Sequence, residues 1–89
     1  MRAIVTVIGK DKVGIIASLS NILSNCNVNI LDISQTTMQD VFTMIMLADI
    51  SGLSIPFSDL ASQLEKKGVE IGLSVRIQHE DIFNSMHQI

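Results

Sequence analysis

The apolar residues near the start of the chain change their period once, and that change constrains the fold more than any other feature. Over residues 2–8 the period is two, with Ala3, Val5 and Val7 on one face and Ile4 and Ile8 beside Thr6 on the other. The segment is rich in β-branched residues and predicts a buried, central strand. From Ile15 onward the period becomes that of a helix. At about 100° per residue Ile15, Ile16, Leu19, Ile22, Leu23 and Cys26 fall within roughly 120° of arc, and Ser18, Ser20, Asn21, Ser24 and Asn25 take the other side. A strand therefore hands over to an amphipathic helix across the loop from Gly9 to Gly14.

The rest of the chain repeats this grammar. Asn25, Cys26 and Asn27 supply a stop and a turn, and a strand follows over residues 28–37. Its alternation breaks, because Val28 and Ile30 share one face and Leu31 and Ile33 the other, so a bulge is expected near Leu31. The strand grows polar toward Thr37, as suits an edge. Met38, Gln39 and Asp40 make a short hairpin connection into a strand over residues 41–48, where Phe42, Met44, Met46 and Ala48 oppose Val41, Ile45 and Leu47. Both of its faces are apolar.

After a loop over residues 49–55, a second helix starts near Pro56, with a stripe of Phe57, Leu60, Ala61, Leu64, Gly68 and Ile71, and stops at Gly72. Residues 73–78 alternate strictly, Leu73, Val75 and Ile77 against Ser74, Arg76 and Gln78. A short helix over residues 79–89 closes the chain, with Ile82, Phe83 and Met86 as its stripe. The order β-α-β-β-α-β predicts an α+β, ferredoxin-like sandwich: a four-stranded antiparallel sheet with two helices on one face, plus the short C-terminal helix. At 89 residues the whole chain is one small domain. With helices on one side only, the second apolar face of the sheet calls for a cover, and a second subunit is the economical one.

Composition narrows the function. The six basic residues are scattered and the formal charge is −3, which argues against nucleic acid and anionic membrane as partners. With three Phe and no Trp or Tyr, an RNA-binding sheet lacks its stacking aromatics. The single Cys26 sits on the helix stripe as a core thiol and cannot make an internal disulfide or a paired-cysteine metal site. His79 and His87 read as surface or packing residues, so no metal or cofactor is expected. No Ser, His and Asp share a loop, and the first loop lacks the arginine that an acylphosphatase-type site would need. The N-terminus does not resemble a signal peptide and no apolar run approaches a membrane span, which makes the cytoplasm the default location.

The first loop is the candidate site. Asp11 is placed to cap the helix, and a helix N-terminus flanked by Gly9, Gly14, Lys10 and Lys12 can seat a carboxylate or phosphate. Ile15 and Ile16 stand where a nucleotide-binding P-loop requires Lys and Ser/Thr, so that reading is rejected. The residues alone leave two readings, with the plainer one favoured: a capped strand-to-helix connection with two solvated lysines.

The segment Gly9-Lys10-Asp11-Lys12-Val13-Gly14-Ile15-Ile16-Ala17, with Asn27-Val28-Asn29-Ile30 at the next strand, resembles the ACT domain, a small-molecule-sensing module attached to many enzymes of amino-acid metabolism. The match runs over almost the whole chain. It is closest to the uncharacterised stand-alone ACT proteins of bacteria and archaea, through residues 29–36, 42–46 and 79–83. The glycine-cleavage regulators and the N-terminal part of formyltetrahydrofolate deformylase begin similarly. The resemblance implies a non-enzymatic homodimer or higher oligomer that holds an amino acid or related metabolite between the first loop of one subunit and the second strand of its neighbour, and that acts on a metabolic enzyme or regulator in another chain. Asp11, Gly14 and Asn29 match the family's positions, with Lys12, Val13 and Ile30 beside them. Asp11 and Gly9 stand where serine-binding versions carry Asn and His, so the amino acid need not be serine. The competing reading is a structural protein-interaction module without a ligand, in which Asn29 only shapes a turn. On the first reading Gly14→Val spares the fold and blocks binding.

Overall fold

The computed structural model describes residues 1–10 and 14–81. Its elements are β1 (Arg2–Lys10), α1 (Ile15–Asn25), β2 (Asn29–Met38), β3 (Val41–Asp49), α2 (Phe57–Ile71) and β4 (Ser74–His79). The strands form one antiparallel sheet in the order β2-β3-β1-β4. This is the ferredoxin-like arrangement, and β1 is central as its two-sided apolar pattern requires. The expected C-terminal helix lies, beyond Asp81, outside the described residues.

Register sorts the side chains into two faces. Ala3, Val5 and Val7 of β1 pair with Ala48, Met46 and Met44 of β3, and Val5 and Val7 pair with Ile77 and Val75 of β4. These face the helices and are almost fully buried, together with Leu19 and Leu23 of α1 and Leu60 and Leu64 of α2. Aliphatic and Met side chains fill this core, with Phe42 at its margin, as expected of a chain with few aromatics. Ile16, expected in the buried stripe of α1, is instead exposed. It lies at the rim of the arc, in the first turn of α1.

The anticipated bulge is present. Ile30 pairs with Ala48 and Asp32 with Leu47, so Leu31 is the extra residue. One added residue flips the alternation, so Ile33 pairs with Met46 and returns to the face of Ile30. The Asp32 carboxylate accepts the Ile33 backbone N–H at 2.9 Å, which holds the bulge.

Both helices end where the sequence signals it. Asn27 takes the left-handed conformation at φ 62°, with the Val28 N–H bonded back to the Leu23 carbonyl at 2.8 Å. Gly72 does the same for α2 at φ 77°, with Leu73 N–H to Gly68 C=O at 2.7 Å. α2 runs through Gly68 as the stripe predicts, and Gly68 lets it settle against β4: a Cβ there would meet Val75 Cγ2 at 2.7 Å and the Leu73 carbonyl at 2.9 Å.

Candidate functional site

The first loop departs from expectation at its cap. α1 starts at Ile15, and the cap position is Gly14 at φ 85°, ψ 4°, with no side-chain cap hydrogen bond. Asp11, expected as the cap, is too far from Ile15 in sequence to fill that position; Asp11, Lys12 and Val13 themselves lie outside the described residues. Gly14 is exposed, and a Cβ on it would meet nothing within 4 Å among the described residues. The Gly14 carbonyl accepts the Ser18 N–H at 3.0 Å, and the first turn of α1 carries no acidic residue. The opening N–H groups of the helix thus have no side-chain cap among the described residues, and the positive end of the helix dipole is uncompensated by an acid within that turn.

Gly9 has a different role from the one its position beside the loop suggested. It lies within β1, opposite Phe42 on the helix face, and a methyl group there would overlap the Leu73 side chain. The close approach it allows is made by the chain's own core and not by a ligand.

Asn29 opens β2 opposite Asp49, which in turn pairs with Arg2. It is exposed, on the sheet face away from the helices, and makes no side-chain hydrogen bond among the described residues. Ile30 turns the other way and packs against the core, so only its backbone reaches the sheet edge. The turn that the competing reading assigns to Asn29 belongs to Asn27, whose Nδ2 donates to the Gly52 carbonyl at 2.7 Å and ties the end of α1 to the loop after β3.

Gly14 and Asn29 sit at opposite ends of one subunit. α1, with its 11 residues, separates them by about 16 Å along the helix axis. The sheet tells the same story, because Asn29 is level with Arg2 while Gly14 follows Lys10 at the far end of β1. No single copy of the chain can close a small ligand between them. Beside Asn29 lies a polar cluster that sequence reasoning did not foresee. Arg2 bonds Glu80 at 2.9 Å, the Met1 amine donates to Ser51 Oγ at 2.8 Å, and the Ser51 N–H donates to the Asp49 carboxylate at 2.9 Å. The Ser51 hydroxyl first, and its backbone N–H second, hold the Asp49 carboxyl below its ordinary value. His79, taken from sequence as a surface or packing residue, stacks on Phe57 with ring centroids 4.2 Å apart.

A four-stranded antiparallel sheet with two helices on one face, a strand-glycine-helix opening and an exposed edge strand define a small α+β module of the ferredoxin-like class. A family model of the ACT domain matches residues 2–78, and the chain belongs to that family. It is 56% identical over 89 residues to a UPF0237 protein of Clostridium acetobutylicum, covering the whole of both chains. Among solved structures it is similar to an ACT domain protein from Streptococcus pneumoniae, with a TM-score of 0.80, 38% identity and 93% of each chain covered. The same fold recurs in a formyltetrahydrofolate deformylase from Pseudomonas syringae (TM-score 0.77, 23% identity, 88% of this chain and 27% of that one) and in a candidate glycine cleavage system transcriptional repressor (TM-score 0.71, 20% identity, 86% and 44%). Membership of the ACT family supports a regulatory role.

Proposed function

We propose that the protein is a non-catalytic sensing module that binds an amino acid or a related small metabolite between two copies of itself and passes that state to a metabolic enzyme or regulator. The observation that carries this reading is β2: ten residues, exposed from Leu31 to its end, with one edge unpaired among the described residues. An open edge of that length invites another strand. Antiparallel pairing of two such edges sets the start of one β2 beside the end of the other. The partner subunit's Asn29 then comes to the same end of the joined sheet as Gly14, which one copy cannot arrange for itself, and as the first residue of its strand it reaches a ligand there around the strand end. The helix N-terminus suits a ligand carboxylate, and the amide of Asn29 offers both a donor and an acceptor to orient a zwitterion without burying a net charge. In this reading residues 11–13 and the Ile30 backbone complete the wall, and the protein works in the cytoplasm.

The test is a thermal-shift screen of the purified protein against the amino acids and common folate and nucleotide metabolites, followed by calorimetry on any hit. Saturable stabilisation is expected, and Asn29→Ala should weaken that binding by about 1 to 3 kcal/mol while the oligomer persists. Unchanged affinity in the Asn29 variant removes it from the site. A screen without a single stabilising metabolite, together with a protein partner held on the sheet, favours a ligand-free interaction module instead.

A further inference from the structure

We infer that the open face of the sheet is a contact surface for a second copy of this chain, packed sheet on sheet about a two-fold axis that runs parallel to the strands. This deepens the self-association part of the reading above and is independent of the metabolite.

Register lays the open face out in rows from β2 to β4. Asn29, Asp49 and Arg2 form the first row, with Glu80 bonded to Arg2 beside it. Asp32, Leu47, Ile4 and Gln78 form the second; Ser34, Ile45, Thr6 and Arg76 the third; Thr36, Thr43, Ile8 and Ser74 the fourth. Met38, Val41 and Lys10 end the face. Its apolar part is Ile8, Val41 and Ile45, which are 46%, 46% and 38% exposed, beside half-buried Leu47 and buried Ile4, with hydroxyl groups around them. Ile4 belongs to this face and not to the main core cluster. Four strands by about eight residues give a footprint of roughly 500 Å² per subunit. Two such faces bury about 1,000 Å², the lower bound of a specific interface.

The charges choose the occupant and its orientation. Two aligned sheets related by a two-fold axis have that axis either across the strands or along them. An axis across the strands lays each strand on its own copy, so Arg2 meets the partner subunit's Lys10 and Arg76 meets the partner's Arg76. An axis along the strands lays β3 on β1 and β2 on β4. Asp49 then faces the partner's Arg2, and Arg76 lies one row, about 7 Å along the strand, from the partner's Asp32, within reach of a guanidinium across sheets about 10 Å apart. Each of these contacts occurs twice. Asp32 and Arg76 take part in no ion pair among the described residues, and the Asp32 carboxylate, which accepts the Ile33 N–H through Oδ1, keeps its second oxygen for this contact. A surface whose own charges complement it after one rotation fits a second copy.

The test is the mass of the full chain by sedimentation and light scattering, for wild type, Ile45→Glu, Arg76→Asp, and the pair Asp32→Arg with Arg76→Asp. Ile45 is exposed at the centre of the face and away from the β2 edge, so Ile45→Glu leaves the fold and any edge pairing in place. Its assembly mass should be half that of wild type, from tetramer to dimer if the edge also pairs and from dimer to monomer if it does not. Arg76→Asp should weaken the contact about tenfold, and the charge-swapped pair should recover it. An Ile45→Glu protein of unchanged mass overturns the inference while leaving the metabolite site standing, and gives the face to residues 82–89 or to a different protein. A charge-swapped pair no tighter than Arg76→Asp alone overturns the orientation.

Discussion

Residue 14 separates backbone strain from ligand contact, because its glycine is held at φ 85° with nothing among the described residues within 4 Å of where a Cβ would stand. An L-residue in this left-handed region costs about 1 to 2 kcal/mol from its own backbone sterics. Loss of unfolded-chain freedom on replacing glycine returns only about 0.4 to 1 kcal/mol. Gly14→Ala should therefore be destabilised by about 1 kcal/mol, Gly14→Asn by less, since Asn tolerates this region, and Gly14→Val by more, since its branched Cβ does not. For a chain of this size each kcal/mol lowers Tm by about 4 to 8 °C. The expectation that Gly14→Val spares the fold is thus replaced: the positive φ makes valine a folding variant, and alanine is the proper probe of binding. Urea and thermal melts of the four proteins should rank them glycine, asparagine, alanine, valine. An alanine variant as stable as wild type would refute the reasoning, because residue 14 could not then be held at positive φ.

At Gly68, alanine would gain about 1 kcal/mol of helix propensity but force its methyl into Val75 and the Leu73 carbonyl, a backbone atom pinned by the Leu73–Gly68 hydrogen bond. The clash should win, with Gly68→Ala lowering Tm by several degrees, and a rise in Tm would show that α2 can lift from β4. Asn27→Gly should lose about 1 kcal/mol with the bond to Gly52, and Asn27→Ala more, because it also loses the residue tolerant of φ 62°; chemical denaturation of both separates the two terms. Asp49 has a depressed folded-state pKa, so it favours the native state above the unfolded carboxyl pKa and that contribution fades as pH falls through the folded value. Ser51→Ala should move the Asp49 titration upward toward the ordinary carboxylate range, as read by NMR.

Period and punctuation in the sequence determined the strands, both helices, the edge character of β2, the bulge at Leu31 and the stop at Gly72. These are local: each follows from which side chains must face a core and which residues tolerate a turn. The family could also be read locally, from the glycine-bracketed loop and the residues that open β2. What local pattern could not supply was the cap at Gly14, because Asp11 is an equally good cap by residue type and only the observed start of α1 decides between them. Nor could it show that Gly9 serves Leu73, a neighbour 64 positions away in the chain that approaches only after β4 has joined β1. The site depends most on tertiary structure. Gly14 and Asn29 are close in sequence, yet the helix between them carries one to each end of the sheet, and that separation is what makes a second copy part of the proposed site. Register did the same for the open face. It set Asp32 and Arg76, and Asp49 and Arg2, in rows whose order is invisible until four strands from different parts of the chain lie side by side.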